Sequence, residues 1–427
     1  MKKLVYYIWG ILLLSLPLSH HGQTLVPSTA SDAKLSEEKL SRIDELCEEY
    51  FQKGYLPGGT VLLARKGKIV YFKAWGEKDL DNHTAFQKDD IFRIASMTKA
   101  FTSVAIMQLF EQGKLGLDEP ISNYLTSFKE MQVMDSFNPE DSTYTSHPAK
   151  TPITIRHLLT HTSGLSYNFS DPRMAAIAAK NKLATFDLAP NLTTAERIPQ
   201  VAKMPLVAEP GTKFNYGVST DVLGYLVQGI SGLTLGEYCK SNIFEPLGMD
   251  DTGFYLPEDK HDRVIPVYYD TGKGLGKYPD SYYDFPMKKP MNYYSGGGGA
   301  SSTTHDYAIF CQMLLNKGTY NGKRILSRRT VEMMTTDQLA FMDVEPGAWL
   351  GGKGEGFGLG FQIKTADAKA KTIQSPGTFS WGGIFNTKYW IDPKEEMVLV
   401  SMTQILPNQH QEFWPKLNSI IYSSIDD

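Results

Sequence analysis

A serine and a lysine stand three residues apart in Ile94-Ala95-Ser96-Met97-Thr98-Lys99. On a helix that spacing brings both side chains to one face. A serine hydroxyl becomes a nucleophile when a base lies within hydrogen-bond reach, the surroundings are electropositive and donors await the oxyanion. A helix N-terminus offers positive potential and unsatisfied N–H groups. A nearby lysine serves as base or proton relay where burial weakens its hold on the proton. The same spacing recurs at Ser31/Lys34 and Ser36/Lys39, so spacing alone selects no pair.

The elements that carry the three pairs differ. Ser31 lies in residues 23–34, small and polar, which read as a linker. Ser36 opens a segment with apolar residues at 35, 40, 43, 46, 47, 50 and 51, an amphipathic helix whose first serine reads as a cap. After Ser96 the apolar positions are 100, 101, 104 to 107, 109 and 110, and Gly113 ends the run. That pattern predicts a largely buried helix over about 97–112 with a glycine stop, its first turn holding Ser96 and Lys99. Ile91–Ala95 before it is extended, so Ser96 arrives at a junction.

Two β-rich runs, Thr60–Ala64 and Lys68–Trp75, flank Arg65-Lys66-Gly67 and predict an antiparallel hairpin. Strand patterns return at 358–363, 378–383, 386–391 and 397–402, with a closing helix over 409–423. The expected fold class is α/β of the α+β type. N- and C-terminal segments build an antiparallel sheet flanked by helices, with a mainly helical region inserted. The expected boundaries are a signal peptide over 1–22, the linker over 23–34, a sheet region over 35–95 and 296–427, and a mainly helical region with substrate loops over 96–295.

A net charge of −4 over 427 residues leaves no basic footprint for nucleic acid and no polybasic membrane patch. Met1-Lys2-Lys3, the apolar run Leu4–Leu18 and a polar exit match a secretory signal peptide. The run is short for a membrane span, which takes about 20 residues. A periplasmic or secreted protein with a cleaved leader is expected, and no stable membrane anchor after cleavage; an uncleaved anchor is the alternative. Cys47, Cys239 and Cys311 read as buried free thiols, with one disulfide and a leftover thiol as the alternative. His157 and His161 have i, i+4 spacing, but the glutamate of His-Glu-x-x-His is absent and structural roles fit better. Gly351–Gly360 lacks a Gly-Lys-Ser/Thr end, and no Gly-x-Ser-x-Gly occurs. Four glycines at 296–299 read as a loop needing unusual dihedrals or close approach to substrate.

The stretch F92-R-I-A-S-M-T-K-A-F-T-S103 resembles the nucleophile region of the serine β-lactamase and penicillin-binding-protein superfamily, and most closely its class C-like, esterase-type branch. Further landmarks follow in that branch's order. They are Leu115–Pro120, Ile153–Leu165, Pro210–Tyr216, Ile243–Met249 with Thr252-Gly253-Phe254, Gly298–Ser302 with Asp306, and Trp381-Gly382-Gly383. The likeness spans roughly residues 35–425. It implies catalytic roles for Ser96, Lys99 and Tyr216, and an oxyanion hole from the main-chain N–H groups of Ser96 and Ile384. Trp381, Gly382, Gly383 and Val218 would meet the substrate, and no metal or cofactor is implied.

Two departures narrow the expected chemistry. Val218 stands where the family's Tyr-x-Asn element has its amide, and Trp381-Gly382-Gly383 replaces Lys-Thr-Gly. Groups that hold a β-lactam or a peptide carboxylate are thereby lost, while the acyl-transfer machinery is kept. The expectation is an exported serine hydrolase acting on small-molecule esters through an acyl-enzyme, with the aromatic stretches 268–270, 282–285 and 292–294 offering acyl contacts. The alternatives are a D-amino-acid carboxypeptidase or β-lactamase with a peptide-like substrate, an acyltransferase, or a non-catalytic penicillin-binding-like protein.

Overall fold

The computed structural model describes residues 23–183, 192–279, 282–283, 285–287 and 292–427. The expected signal peptide lies outside them. Helix α1 (Glu37–Gln52) precedes a hairpin of β1 (Gly58–Arg65) and β2 (Lys68–Asp79). The long middle of the chain then supplies α2 (Thr98–Glu111) and α3 (Ser219–Ser231), and α4 (Thr304–Leu315) follows. The chain returns with β3 (Glu355–Phe357), β4 (Gln362–Lys364), β5 (Phe379–Gly383), β6 (Thr387–Asp392) and β7 (Met397–Met402), and ends on α5 (Phe413–Ser423).

The main sheet runs Val26–Pro27, β2, β1, β7, β6, β5, β4, β3, with Thr84–Ala85 added on β2. Every pairing is antiparallel except that of Val26–Pro27 with β2. Early and late segments meet where β1 pairs with β7, Thr60 opposite Met402 and Arg65 opposite Met397.

Both faces of this sheet are covered, which explains why its central strands are continuous apolar runs. Side chains alternate sides along a strand. Leu62, Ala64, Val398, Val400 and Met402 join the larger core with α2 and α4. Val61, Leu63, Met397 and Leu399 pack against α1 and α5 through Leu40, Ile43, Phe413 and Leu417. The three cysteines are free and buried.

Two expectations about elements need correction. Residues 358–363 are not one strand: Gly358 donates to the Phe361 carbonyl (2.7 Å) in a turn between β3 and β4. Gly360 has φ 99°, and a Cβ there would overlap the Ser103 hydroxyl on α2. Glycine is what lets this turn reach the central helix. In the middle of the chain, Gln132–Asn138 and Thr143–Pro148 form a hairpin where only helices and loops were expected.

Arg93 ties the segment entering α2 to a distant loop. Its guanidinium is 3% exposed and donates to the carbonyls of Phe285 (2.7 Å), Ile265 (2.6 Å) and Tyr283 (2.6 Å). Arg93→Met strands three carbonyl oxygens and should lower stability by about 3 kcal/mol or more, measured by denaturant unfolding. Ser36 caps α1, its hydroxyl accepting from the Lys39 N–H at 3.3 Å. Ser36→Ala should cost about 1 kcal/mol in the same assay and leave catalysis untouched.

Candidate active site

Ser96 lies in a single 3-10 turn, Ala95–Met97, that leads into α2. Ala95 before it has φ 43°, a left-handed conformation that a non-glycine residue adopts only when its surroundings impose it. The contacts that impose it hold the residues on either side. Ile94 N–H donates to the Ala300 carbonyl (3.2 Å), and Ala300 N–H donates to Thr98 Oγ1 (3.0 Å). The Tyr307 hydroxyl donates to the Met97 carbonyl (2.9 Å). Ser96 does not cap α2, whose N-terminus receives no side-chain hydrogen bond. Its hydroxyl is thus free for other partners, unlike that of Ser36.

Those partners are the two side chains the sequence pointed to. The Tyr216 hydroxyl donates to Ser96 Oγ at 2.7 Å, and Lys99 Nζ donates to it at 3.2 Å. Lys99 is 3% exposed. Its ammonium also donates to the Gly297 carbonyl at 2.6 Å, and sits 4.7 Å from the centre of the Tyr216 ring and 5.4 Å from that of Tyr167. Carbonyl dipole, hydroxyl and aromatic faces together replace the water that this cation has lost.

Tyr216 is wedged among rings, with His161 at 4.8 Å, Tyr167 at 5.4 Å and Trp381 at 5.4 Å between centroids. Burial, and then the charge of Lys99, holds His161 well below the usual imidazole range, so it is a neutral spacer. Its Nδ1 receives the Gly217 N–H at 3.5 Å, and His157 Nδ1 receives the Thr154 N–H at 3.2 Å. Both histidines have structural partners.

The far wall is the end of β5. A Cβ on Gly383 would overlap the Ile94 carbonyl oxygen and Thr387 Oγ1. Glycine here lets the strand edge close onto the nucleophile turn. Ser96 and Ile384 then face one cavity of about 330 Å³, together with Phe169, Tyr216, Leu350, Gln362, Trp381, Gly382 and Gly383. None of these lining residues carries a charge.

Several expected contacts are not made. Val218 is 2% exposed in the core and does not line the cavity, so the residue at the missing amide's position packs into the core instead. The tyrosine stretches do not line it either. Tyr268 is buried against the outer face of the sheet, Tyr282 stacks on Tyr278, and Tyr293 faces Asp221. Glycines 296–299 have no positive φ; Gly296 and Gly297 approach Thr102, Thr220 and Asp221, and Gly299 approaches Ser295 and Phe254. Leu350 and Gln362 were not anticipated, whereas Phe169 falls within the substrate-loop region expected over 96–295, though no motif singled it out.

Comparison with known proteins identifies the family of the chain. The sequence profile of the Beta-lactamase family matches residues 43–418. Protein Rv1367c of Mycobacterium tuberculosis (strain ATCC 25618 / H37Rv) is 34% identical over 376 residues, covering 86% of this chain and 89% of its own. Esterase EstB of Burkholderia gladioli is 28% identical over 375 residues, covering 82% and 87%. Among solved structures, EstCE1, a hydrolase with promiscuous acyltransferase activity, superposes with a TM-score of 0.79 at 26% identity, covering 90% of this chain and 99% of its own.

With Tyr216 closest to the nucleophile, Tyr216→Phe should slow covalent labelling of Ser96 by a fluorophosphonate about 10²–10⁴-fold. Its thermal midpoint should stay near that of the parent. Labelling at the parent rate would remove Tyr216 from proton transfer.

Proposed function

This chain belongs to the β-lactamase family, and from its site we propose that it is an exported serine carboxylesterase working through an acyl-enzyme. The observation that carries the reading is Ser96 Oγ held by the Tyr216 hydroxyl at 2.7 Å and Lys99 Nζ at 3.2 Å, in a cavity with uncharged walls. Trp381 stands where β-lactam- and carboxylate-binding relatives present a cation, so a neutral acyl group suits the space better than an anionic one. Export rests on the signal-like segment Met1–Leu18 alone.

In the proposed reaction the Tyr216/Lys99 pair, having first given up one proton to solvent, takes the Ser96 proton as Oγ bonds to the ester carbonyl carbon. Charge moves to the carbonyl oxygen, which the N–H groups of Ser96 and Ile384 hold. Collapse of the tetrahedral species breaks the bond to the alkoxy oxygen, which leaves as the alcohol with the proton from Tyr216. Water then adds to the acyl carbon by the same route, releasing the acid and restoring Ser96.

Turnover of p-nitrophenyl acetate and butyrate should be fast, with little or no hydrolysis of nitrocefin. Ser96→Ala should abolish both ester turnover and fluorophosphonate labelling. A Ser96→Ala protein that still hydrolyses esters normally would refute the assignment. If products divert to an added alcohol more than to water, the enzyme is an acyltransferase first.

A further inference from the structure

Lys99 has no carboxylate among its hydrogen-bond partners, yet one lies directly behind the loop that holds it. Asp221, in the first turn of α3 and 3% exposed, faces the loop's inner side. Its Oδ1 accepts from Ser295 Oγ (2.6 Å), Gly297 N–H (3.2 Å) and the Tyr293 hydroxyl (3.3 Å). The Tyr167 hydroxyl lies beside the same carboxylate, both against the space a Cβ on Gly297 would fill. The three contacts on Oδ1 are all donors, as a carboxylate oxygen requires, while Oδ2 is buried without a hydrogen bond among the described residues.

Gly297 therefore lies between two charges: its N–H meets Asp221 and its carbonyl meets the Lys99 ammonium. A Cβ at 297 would overlap Asp221 Oδ2 and crowd the Tyr167 hydroxyl, so the fit requires glycine. Tyr167 lies alongside, with its ring 5.4 Å from Lys99 Nζ and its hydroxyl beside Asp221. Burial, followed by the Asp221 charge, holds the Tyr167 phenol well above its ordinary range and keeps it a donor.

We propose that Asp221 is a positioning residue for acylation, acting through the Gly297 peptide and Tyr167 to fix Lys99 against Ser96 and to offset its buried charge. The titratable groups around Lys99 are Tyr216, Tyr167 and His161, and the last is neutral, so Asp221 is the negative charge closest behind the cation among the contacts described. Removing it takes a negative charge out of the site, which displaces the pH dependence of labelling toward lower pH. The inference rests on Ser96 being the acylated nucleophile.

The test is the rate of fluorophosphonate labelling against pH for the parent, Asp221→Asn, Gly297→Ala and Ser96→Ala proteins, with thermal midpoints taken alongside. Asp221→Asn should label roughly ten-fold or more slowly, with its pH profile displaced to lower pH than the parent's. Gly297→Ala keeps the charge but wedges the loop off the carboxylate, and should also lose roughly ten-fold or more. An Asp221→Asn profile that coincides with the parent's overturns the proposal whatever its rate. If that protein does not fold, parent-like labelling of Gly297→Ala overturns it instead. A parent that does not label, or a Ser96→Ala protein that does, would sink the esterase reading rather than this network.

Discussion

An ammonium group that is 3% exposed must find its solvation in the protein. That requirement on Lys99 organises the site. A glycine carbonyl, the nucleophile's own oxygen and two aromatic faces surround it. Each must be delivered by a different stretch of chain with little tolerance, because a misplaced dipole leaves a buried charge uncompensated. The loop at 295–300 is threaded between α2 and α3 to supply the carbonyl, and Thr102 Oγ1 fastens it by donating to Gly296 O at 2.9 Å. Helix α2 is buried on all sides from Thr98 to Leu109, so its first turn cannot shift independently of the core.

The sheet contributes the opposing wall. Strand β5 is held in register by β6, with Trp381 opposite Tyr389 and Gly383 opposite Thr387. Its last glycine abuts Ile94. The nucleophile turn is thus gripped from one side by the glycine loop and from the other by a strand edge. The left-handed Ala95 between these contacts is the local conformational cost of holding Ser96 there.

Much of this was legible because periodicity reports burial. Ser36/Lys39 and Ser96/Lys99 share a spacing, but one opens a helix with a solvated face and the other a helix with none, and the structure makes one serine a cap and leaves the other free. Tyr216 was found only through its place in an ordered series of family landmarks, since nothing local distinguishes it among 23 tyrosines. What could not be read was side-chain direction in loops. Val218 turns inward, the tyrosine-rich stretches pack elsewhere, and Phe169 and Leu350 arrive from segments with no regular pattern. The turn at Gly358–Gly360 was hidden because its apolar neighbours mimic a strand, while the constraint comes from α2, 257 residues earlier by the separation of Ser103 and Gly360.

The N-terminal end of α1 and the C-terminal end of α5 lie side by side, with Leu35 bridged to Ile425 and Ser36 N–H bonded to the Ser424 carbonyl at 2.7 Å. From Leu35 to Ile425 the chain is therefore a nearly closed ring, with the sheet-edge segment Val26–Pro27 preceding it. Joining residues 35 and 425 through a short peptide would close little additional loop entropy, and the ring could be cut afresh in an exposed turn such as that between Asn138 and Thr143. In such a circular permutant the order of nucleophile, tyrosine and strand edge along the chain would change while their positions in space would not. The order of the landmarks is a record of descent; the chemistry depends only on their meeting.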